Sequence, residues 1–174
     1  MANSIKESVE NLISTLKNNS GNPAANFEAT AVLTDSLRVE CSSRQFDFTI
    51  DEPETLGGTD SAANPIEYVL STLGACQAIT YKVAASLKGI ELNEVRIDAT
   101  GHIDLQGFLG LDKTIRPGYD RINFKTSLFS DEDPKKLERL SEQVESLCPV
   151  LDIISNPVPV SGKLTIKKPE KEAV

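Results

Sequence analysis

Tryptophan is absent from the 174 residues, and histidine occurs once, as His102. A Cys–His hydrolase therefore has one candidate base, and that imidazole sits in an alternating, strand-like run where it faces solvent. The three cysteines, Cys41, Cys76 and Cys148, are an odd number at wide spacing, which does not suit a secreted disulfide framework and points to a reducing cytoplasm. No two of them have the C-x₂₋₄-C spacing that anchors zinc, so neither a metal nor another cofactor is expected. Basic residues are also in deficit, with 18 Lys+Arg against 26 Asp+Glu and a formal net charge of −8. That balance argues against a nucleic-acid partner, whose phosphates require a basic stripe. Apolar runs extend for only a few residues, and Met1 to Leu16 is amphipathic and charged, so neither a membrane span nor a secretory signal is expected. With six Phe and three Tyr, the core is expected to be mostly aliphatic.

What remains is an ordinary globular composition, 39% hydrophobic and 25% charged, at the length of one domain. Folding at this size buries roughly 70% of the unfolded chain's surface, enough for a core without staples. Residues 4–17 begin with Ser4 and Glu7 at capping-box spacing, and Ile5, Val9, Leu12, Ile13 and Leu16 share one helical face. Turn formers from Asn18 to Pro23 follow and read as a linker, so residues 1–22 are expected to form a helix and linker, docked on the main body (residues 23–174) or on a second subunit. From Phe27 to Ile50 the period changes to two, predicting a small antiparallel meander.

The strongest helix signal starts at Asn64, a cap, with Pro65 at the first helical position and Glu67 completing an Asn-x-x-Glu capping box. It runs to about Lys88, with Gly89 as its stop, and is apolar around more than half its circumference, which predicts a central helix. Strands are expected over 94–104 and 120–128, joined by a loop containing Phe108, Leu109 and Leu111. A helix follows from Asp133-Pro134. Pro149 ends that helix and starts a short one with Cys148 at its N-cap, and Val158, Val160, Leu164 and Ile166 supply a last strand before a charged tail. The order predicts an α+β fold, antiparallel strands curled around a buried helix.

Two sulfurs are candidates for chemistry. Cys76 lies mid-helix beside Gly74 and Ala75, where small side chains let another element or a ligand approach; a structural buried thiol and a reactive one are both open there. Cys148 at a helix start faces free backbone N–H groups, which predicts a stabilised thiolate. A thiol of ordinary pKa is only about 3% ionised at neutral pH, whereas one shifted to about 6 is roughly 90% anion. Cys41, in an alternating strand, reads as structural.

The run Asn64-Pro65-Ile66-Glu67-Tyr68-Val69-Leu70-Ser71-Thr72-Leu73-Gly74-Ala75-Cys76, preceded by Asp51-Glu52-Pro53 and Leu56-Gly57-Gly58, resembles the first-cysteine helix of the OsmC/Ohr superfamily of osmotically inducible and organic hydroperoxide resistance proteins. Cys148-Pro149-Val150 and Asn156-Pro157-Val158-Pro159-Val160 resemble its second-cysteine segment and closing strand, and the likeness spans Phe27 to Ile166. The resemblance implies an intertwined homodimer with sheets wrapped around central helices and active sites at the subunit interface. It implies a thiol peroxidase in which Cys76 attacks an organic hydroperoxide and Cys148 resolves the sulfenic acid as a disulfide, reduced in turn by an external dithiol. It also implies an arginine supporting the thiolate, matched by Arg38 with Arg44 as the alternative, and a carboxylate holding it, matched by Glu67. In the Ohr branch that glutamate directly follows the proline. Here Ile66 holds the place, and Glu67 is rotated about 100° around the helix, so Glu67 also reads as the capping-box residue alone. The competing reading is a non-enzymatic dimer that binds a small apolar ligand or senses oxidation.

Overall fold

The computed structural model describes residues 4–18 and 23–168. Helix α1 (Ile5–Asn18) starts where Ser4 Oγ accepts from the Glu7 amide at 3.2 Å, and it packs on the central helix without burying any residue fully. Residues 19–22, most of the expected linker, and the tail from 169 onward lie outside the described residues.

The meander forms as strands β1 (Thr30–Asp35), β2 (Arg38–Ser43) and β3 (Phe46–Ile50), in that order and antiparallel. Ala31 pairs with Cys41, and Cys41 with Phe48. Two-residue turns link the strands, with Ser36 and Arg44 at positive φ. Phe27, expected within the first strand, lies before it and is 91% exposed, because the ladder to β2 begins only at Thr30.

Asp51 gathers the next loop around itself, and the 3₁₀ turn Glu54–Leu56 ends at Gly57, whose φ of 90° suits glycine. A side chain at Gly58 would collide with the Glu52 carbonyl, so this turn closes only on glycine.

Helix α2 (Pro65–Lys88) has the cap its sequence predicts. Asn64 Oδ1 accepts from the Glu67 amide, Glu67 Oε2 accepts from the Asn64 amide, both at 2.9 Å, and Gly89 stops the helix at φ 64°. Its buried side rests on a hairpin of β4 (Glu94–His102) and β5 (Arg121–Phe129), paired from Glu94↔Phe129 to His102↔Arg121, and on helix α4 (Pro134–Leu147). A one-turn helix α3 (Leu105–Phe108), capped by Asp104, interrupts the connecting loop. The short α5 (Pro149–Ser155) follows α4 directly. The core is aliphatic around one aromatic: Tyr81, Ala84, Ala85, Ile90, Leu92, Leu140 and Val144 form one buried cluster.

The α+β architecture with antiparallel sheets is as predicted, but one chain does not wrap its helix completely. The sheets β1-β2-β3 and β4-β5 are separate, and the first meets α2 at Tyr68, whose hydroxyl donates to the Thr49 carbonyl at 3.0 Å and whose ring lies 5.7 Å from Phe48. Val69 and Ile79 of α2 stay exposed. The expected last strand is not one in the single chain: among the described residues, 157–168 form neither helix nor strand and join no ladder. Among the described residues, no helix is long and apolar enough to cross a membrane.

Candidate active site: a dithiol between two helices

Cys76 sits two turns before the middle of the Tyr81 cluster on α2, partly exposed, and Cys148 is the N-cap of α5, 1% exposed. Helices α2 and α5 pack together, and the two thiols, both free, are near enough for Cys76 to act on the ionisation of Cys148. Pro149 makes this meeting possible. It breaks α4 at Leu147, and the non-helical φ and ψ of Cys148 (−76°, 111°) turn the chain so that α5 lies against α2. Gly74, one position before Ala75, faces β4, where a Cβ would stand 3.6 Å from Ile97, an ordinary contact.

The expectation that the helix start lowers the Cys148 pKa is reversed. Burial pushes the thiol up, the neighbouring Cys76 adds to this, and the amides of Leu151 and Val150 pull down without compensating. Neither amide closes a cap hydrogen bond to the sulfur, and a helix of two turns contributes little dipole. Burial accordingly disfavours the Cys148 thiolate in the resting protein. Cys41, 8% exposed on β2, takes no part in this pair.

The two remaining candidates stand elsewhere in the chain. Arg38 on β2 gives its Nε to Glu40 Oε1 at 2.8 Å, and Thr49 completes the cluster with 3.1 Å to Glu40 Oε2; Arg38 holds the Glu40 carboxyl below its ordinary pKa, with Thr49 adding to the effect. Arg44 occupies the β2–β3 turn with its guanidinium 5.2 Å from the Phe46 ring centre. Glu67 spends one carboxylate oxygen on its own helix cap. Its charge, after burial, is the second cause that raises the pKa of Tyr119, whose hydroxyl donates to the Ile66 carbonyl at 2.9 Å. His102 is exposed, with Nδ1 3.0 Å from both Asp120 oxygens. Phe108, Leu109 and Leu111, in the loop expected between the two strands, are exposed and fill no core.

Two residues of this region escaped the sequence reading. Tyr119 packs where any side chain at Gly101 would strike its ring, and the isolated glycine inside a strand was the available sign of that close approach. Gln77 is fully buried with both carboxamide atoms unpartnered, a condition that costs about 1–3 kcal/mol per group. Its signal was a polar residue on the apolar stripe formed by Leu73 and Tyr81.

Comparison with known proteins agrees with this architecture. The profile of the OsmC-like protein family matches residues 58–163. A hydroperoxide reductase of Mycoplasma genitalium is 25% identical over 127 residues, 71% of this chain and 82% of that protein. Among solved structures, an OsmC-like protein from Mycoplasma pneumoniae superposes with a TM-score of 0.66 at 24% identity, over 76% of this chain and 89% of the other. The organic hydroperoxide resistance protein OsmC of Legionella pneumophila gives 0.55 at 16% identity, over 76% and 91%. The matched span contains both α2 with Cys76 and the Cys148-Pro149 junction, and on that match the chain belongs to the OsmC-like protein family.

Proposed function

We propose that this protein reduces organic hydroperoxides to alcohols with a pair of cysteines, Cys76 as the attacking thiol and Cys148 as the resolving one. The observation that carries the reading is the proximity of a partly exposed thiol in mid-helix to a buried one whose ionisation burial disfavours. In the first step the Cys76 thiolate attacks the terminal oxygen of the hydroperoxide; an S–O bond forms, the O–O bond breaks, and the alkoxide leaves as the alcohol after taking a proton. The sulfur of Cys148 then attacks the sulfenic sulfur, the disulfide closes and water departs. An external dithiol returns both sulfurs to thiols. A raised pKa on Cys148 suits this division of labour, since the resolving thiol stays protonated until the sulfenic acid stands beside it.

The working unit is a homodimer with its sites at the subunit interface. Two features of the single chain support this. Residues 157–168 join no ladder among the described residues, and Val158, Val160, Leu164 and Ile166 are exposed at positions that a period of two places on one side of a strand. Among the described residues strand β4 pairs only with β5, and it borders a groove of about 660 Å³ that also takes in Leu70, Gly74, Ala75 and Ala78 of α2. An open edge and an orphan strand are complementary, and a second copy supplies each with a partner. In that arrangement the Arg38 that supports a given Cys76 comes from the other copy, and Glu67 acts as the cap of α2.

The test is intact mass under non-reducing conditions after one equivalent of cumene hydroperoxide, alongside turnover driven by a dithiol. The wild-type chain is expected to lose two hydrogens, mapped to a Cys76–Cys148 link, and to turn over repeatedly. Cys76→Ser is expected to lose both properties, Cys148→Ser to accumulate a trappable sulfenic acid, and Cys41→Ser to behave as wild type. Sustained turnover by Cys76→Ser would falsify the assignment, and a single oxidation without cycling would make the protein a sensor instead.

A further inference from the structure

Gln77 is 0% exposed, and neither its Oε1 nor its Nε2 has a hydrogen-bond partner. Its location follows from the register of α2 against α4. Leu73, Gln77 and Tyr81 recur every four residues and make one buried stripe on α2. Tyr81 donates to Ser141 Oγ of α4 at 2.7 Å, and α2 also packs on α5, whose N-cap Cys148 lies at the end of α4 and is near enough to Cys76 to be influenced by it. Going backward along α2 from 81 to 76 therefore goes forward along α4 from 141 to 148, and the Gln77 carboxamide lies between the Tyr81–Ser141 bond and the dithiol. The aliphatic cluster stops at Tyr81 and Val144; the buried residues at the thiol end of α2 and α4 are Leu73, Gln77 and Cys148.

We propose that Gln77 is a positioning residue for the resolving step, turning its carboxamide N–H onto the Cys148 sulfur as that sulfur loses its proton and holding it toward Cys76. The inference rests on the peroxidase reading above. Within its own chain the titratable group acting on Cys148 is Cys76, and the Arg38 of the second copy is assigned to Cys76, so a neutral donor with unused capacity is what the buried stripe provides for the Cys148 sulfur. The carboxamide is unpaired in the resting dithiol and paired in the thiolate, so its stabilisation falls on the reacting state alone. No atom of Gln77 is consumed. The Cys148 anion displaces hydroxide from the Cys76 sulfenic sulfur, the S–O bond breaks as the S–S bond forms, and the proton released by Cys148 converts hydroxide to water; the hydroperoxide has already taken the two electrons.

Gln77→Leu and Gln77→Met, two apolar replacements of similar size, test this in the full-length protein. In the reduced state, cysteine labelled with carbon-13 at Cβ reports the ionisation of Cys148 by its shift against pH. Stopped-flow mixing with one equivalent of cumene hydroperoxide reports sulfenic acid formation and disulfide closure separately. Both variants are expected to melt no lower than wild type, to form the sulfenic acid at the wild-type rate, to close the disulfide about tenfold more slowly, and to ionise Cys148 about one pH unit higher. A folded variant with unchanged closure rate and unchanged ionisation overturns the proposal and leaves Gln77 a packing residue. Absence of any disulfide in the wild type overturns the peroxidase reading instead, and the titration still reports on Gln77 by itself.

Discussion

Asp51 is 1% exposed, and among the described residues no ion pair involves it. Its charge is held by the loop alone: Oδ1 accepts from the Glu52 amide at 2.8 Å, and Oδ2 accepts from the amides and hydroxyls of Thr59 and Ser61, the shortest being 2.5 Å from Thr59 Oγ1. The Thr59 hydroxyl first, then the Ser61 amide, hold the carboxyl well below the usual carboxylate range. A carboxyl lowered on folding contributes stability that is fully present above its unfolded pKa of about 3.9 and is lost as pH falls toward the folded value. Asp51→Asn, which also aims an amide donor at groups that are all donors, is expected to lower the melting temperature at pH 7 and to differ progressively less from wild type below about pH 4. Melting curves from pH 7 down to pH 2.5 check this, and an offset that stays constant with pH counts against it. The loop matters beyond itself because it carries the chain from β3 to the start of α2, and so sets the angle at which the Cys76 helix leaves the first sheet.

At the N-terminus of α2, Glu67 has two competing roles that one substitution separates. Gln accepts the same hydrogen bond from the Asn64 amide, so Glu67→Gln keeps the capping box while removing the charge. If Glu67 is the cap, that variant keeps its melting temperature and most of its turnover, and Asn64→Ala is the harmful change, at about 1 kcal/mol of stability. A carboxylate needed to orient an arginine gives the opposite pattern, in which Glu67→Gln folds normally and loses turnover. The starts of α2, α4 and α5 were all readable beforehand because each is local: Asn64 with Glu67 and Asp133 before Pro134 satisfy backbone within three residues, and Pro149 fixes the start of α5 after Cys148. The same locality explains the misses. Asp104 caps α3, but a single turn is too short to show a helical period, and the pKa argument for Cys148 looked to its own helix, whereas burial decides the direction. The dithiol was legible as two cysteines in two motifs, but the burial of Gln77 depends on how α2 meets α4, which no spacing within α2 reveals.

Strands are the elements for which one chain supplies too little, and the assembly decides what they become. The alternation of Val158, Val160, Leu164 and Ile166 has the period of a strand, yet in the isolated chain these residues join no ladder; their exposure reaches 89% at Val160. Such a segment beside the free edge of β4 is a template for aggregation unless a second copy covers it. Val160→Lys combined with Leu164→Lys is therefore expected to convert a dimer to a monomer of lower melting temperature in sedimentation experiments, and a dimer that persists unchanged places the interface elsewhere. The shared site makes a sharper demand. Arg38 lies on a sheet that meets its own α2 at Tyr68 and is already paired with Glu40, so the proposed role for it requires that it reach a thiol across a dimer interface. Chains carrying Arg38→Ala alone and Cys76→Ser alone are each expected to be inactive as homodimers. Unfolded together and refolded as an equal mixture, half of the dimers hold one chain of each kind, and in those the intact Cys76 of the first faces the intact Arg38 of the second. Turnover of about one quarter of wild type is then expected in the mixture, because one of two sites is complete in half of the dimers. No recovery in a mixture shown by mass spectrometry to contain the heterodimer places Arg38 in the same chain as the cysteine it serves, or outside the site altogether.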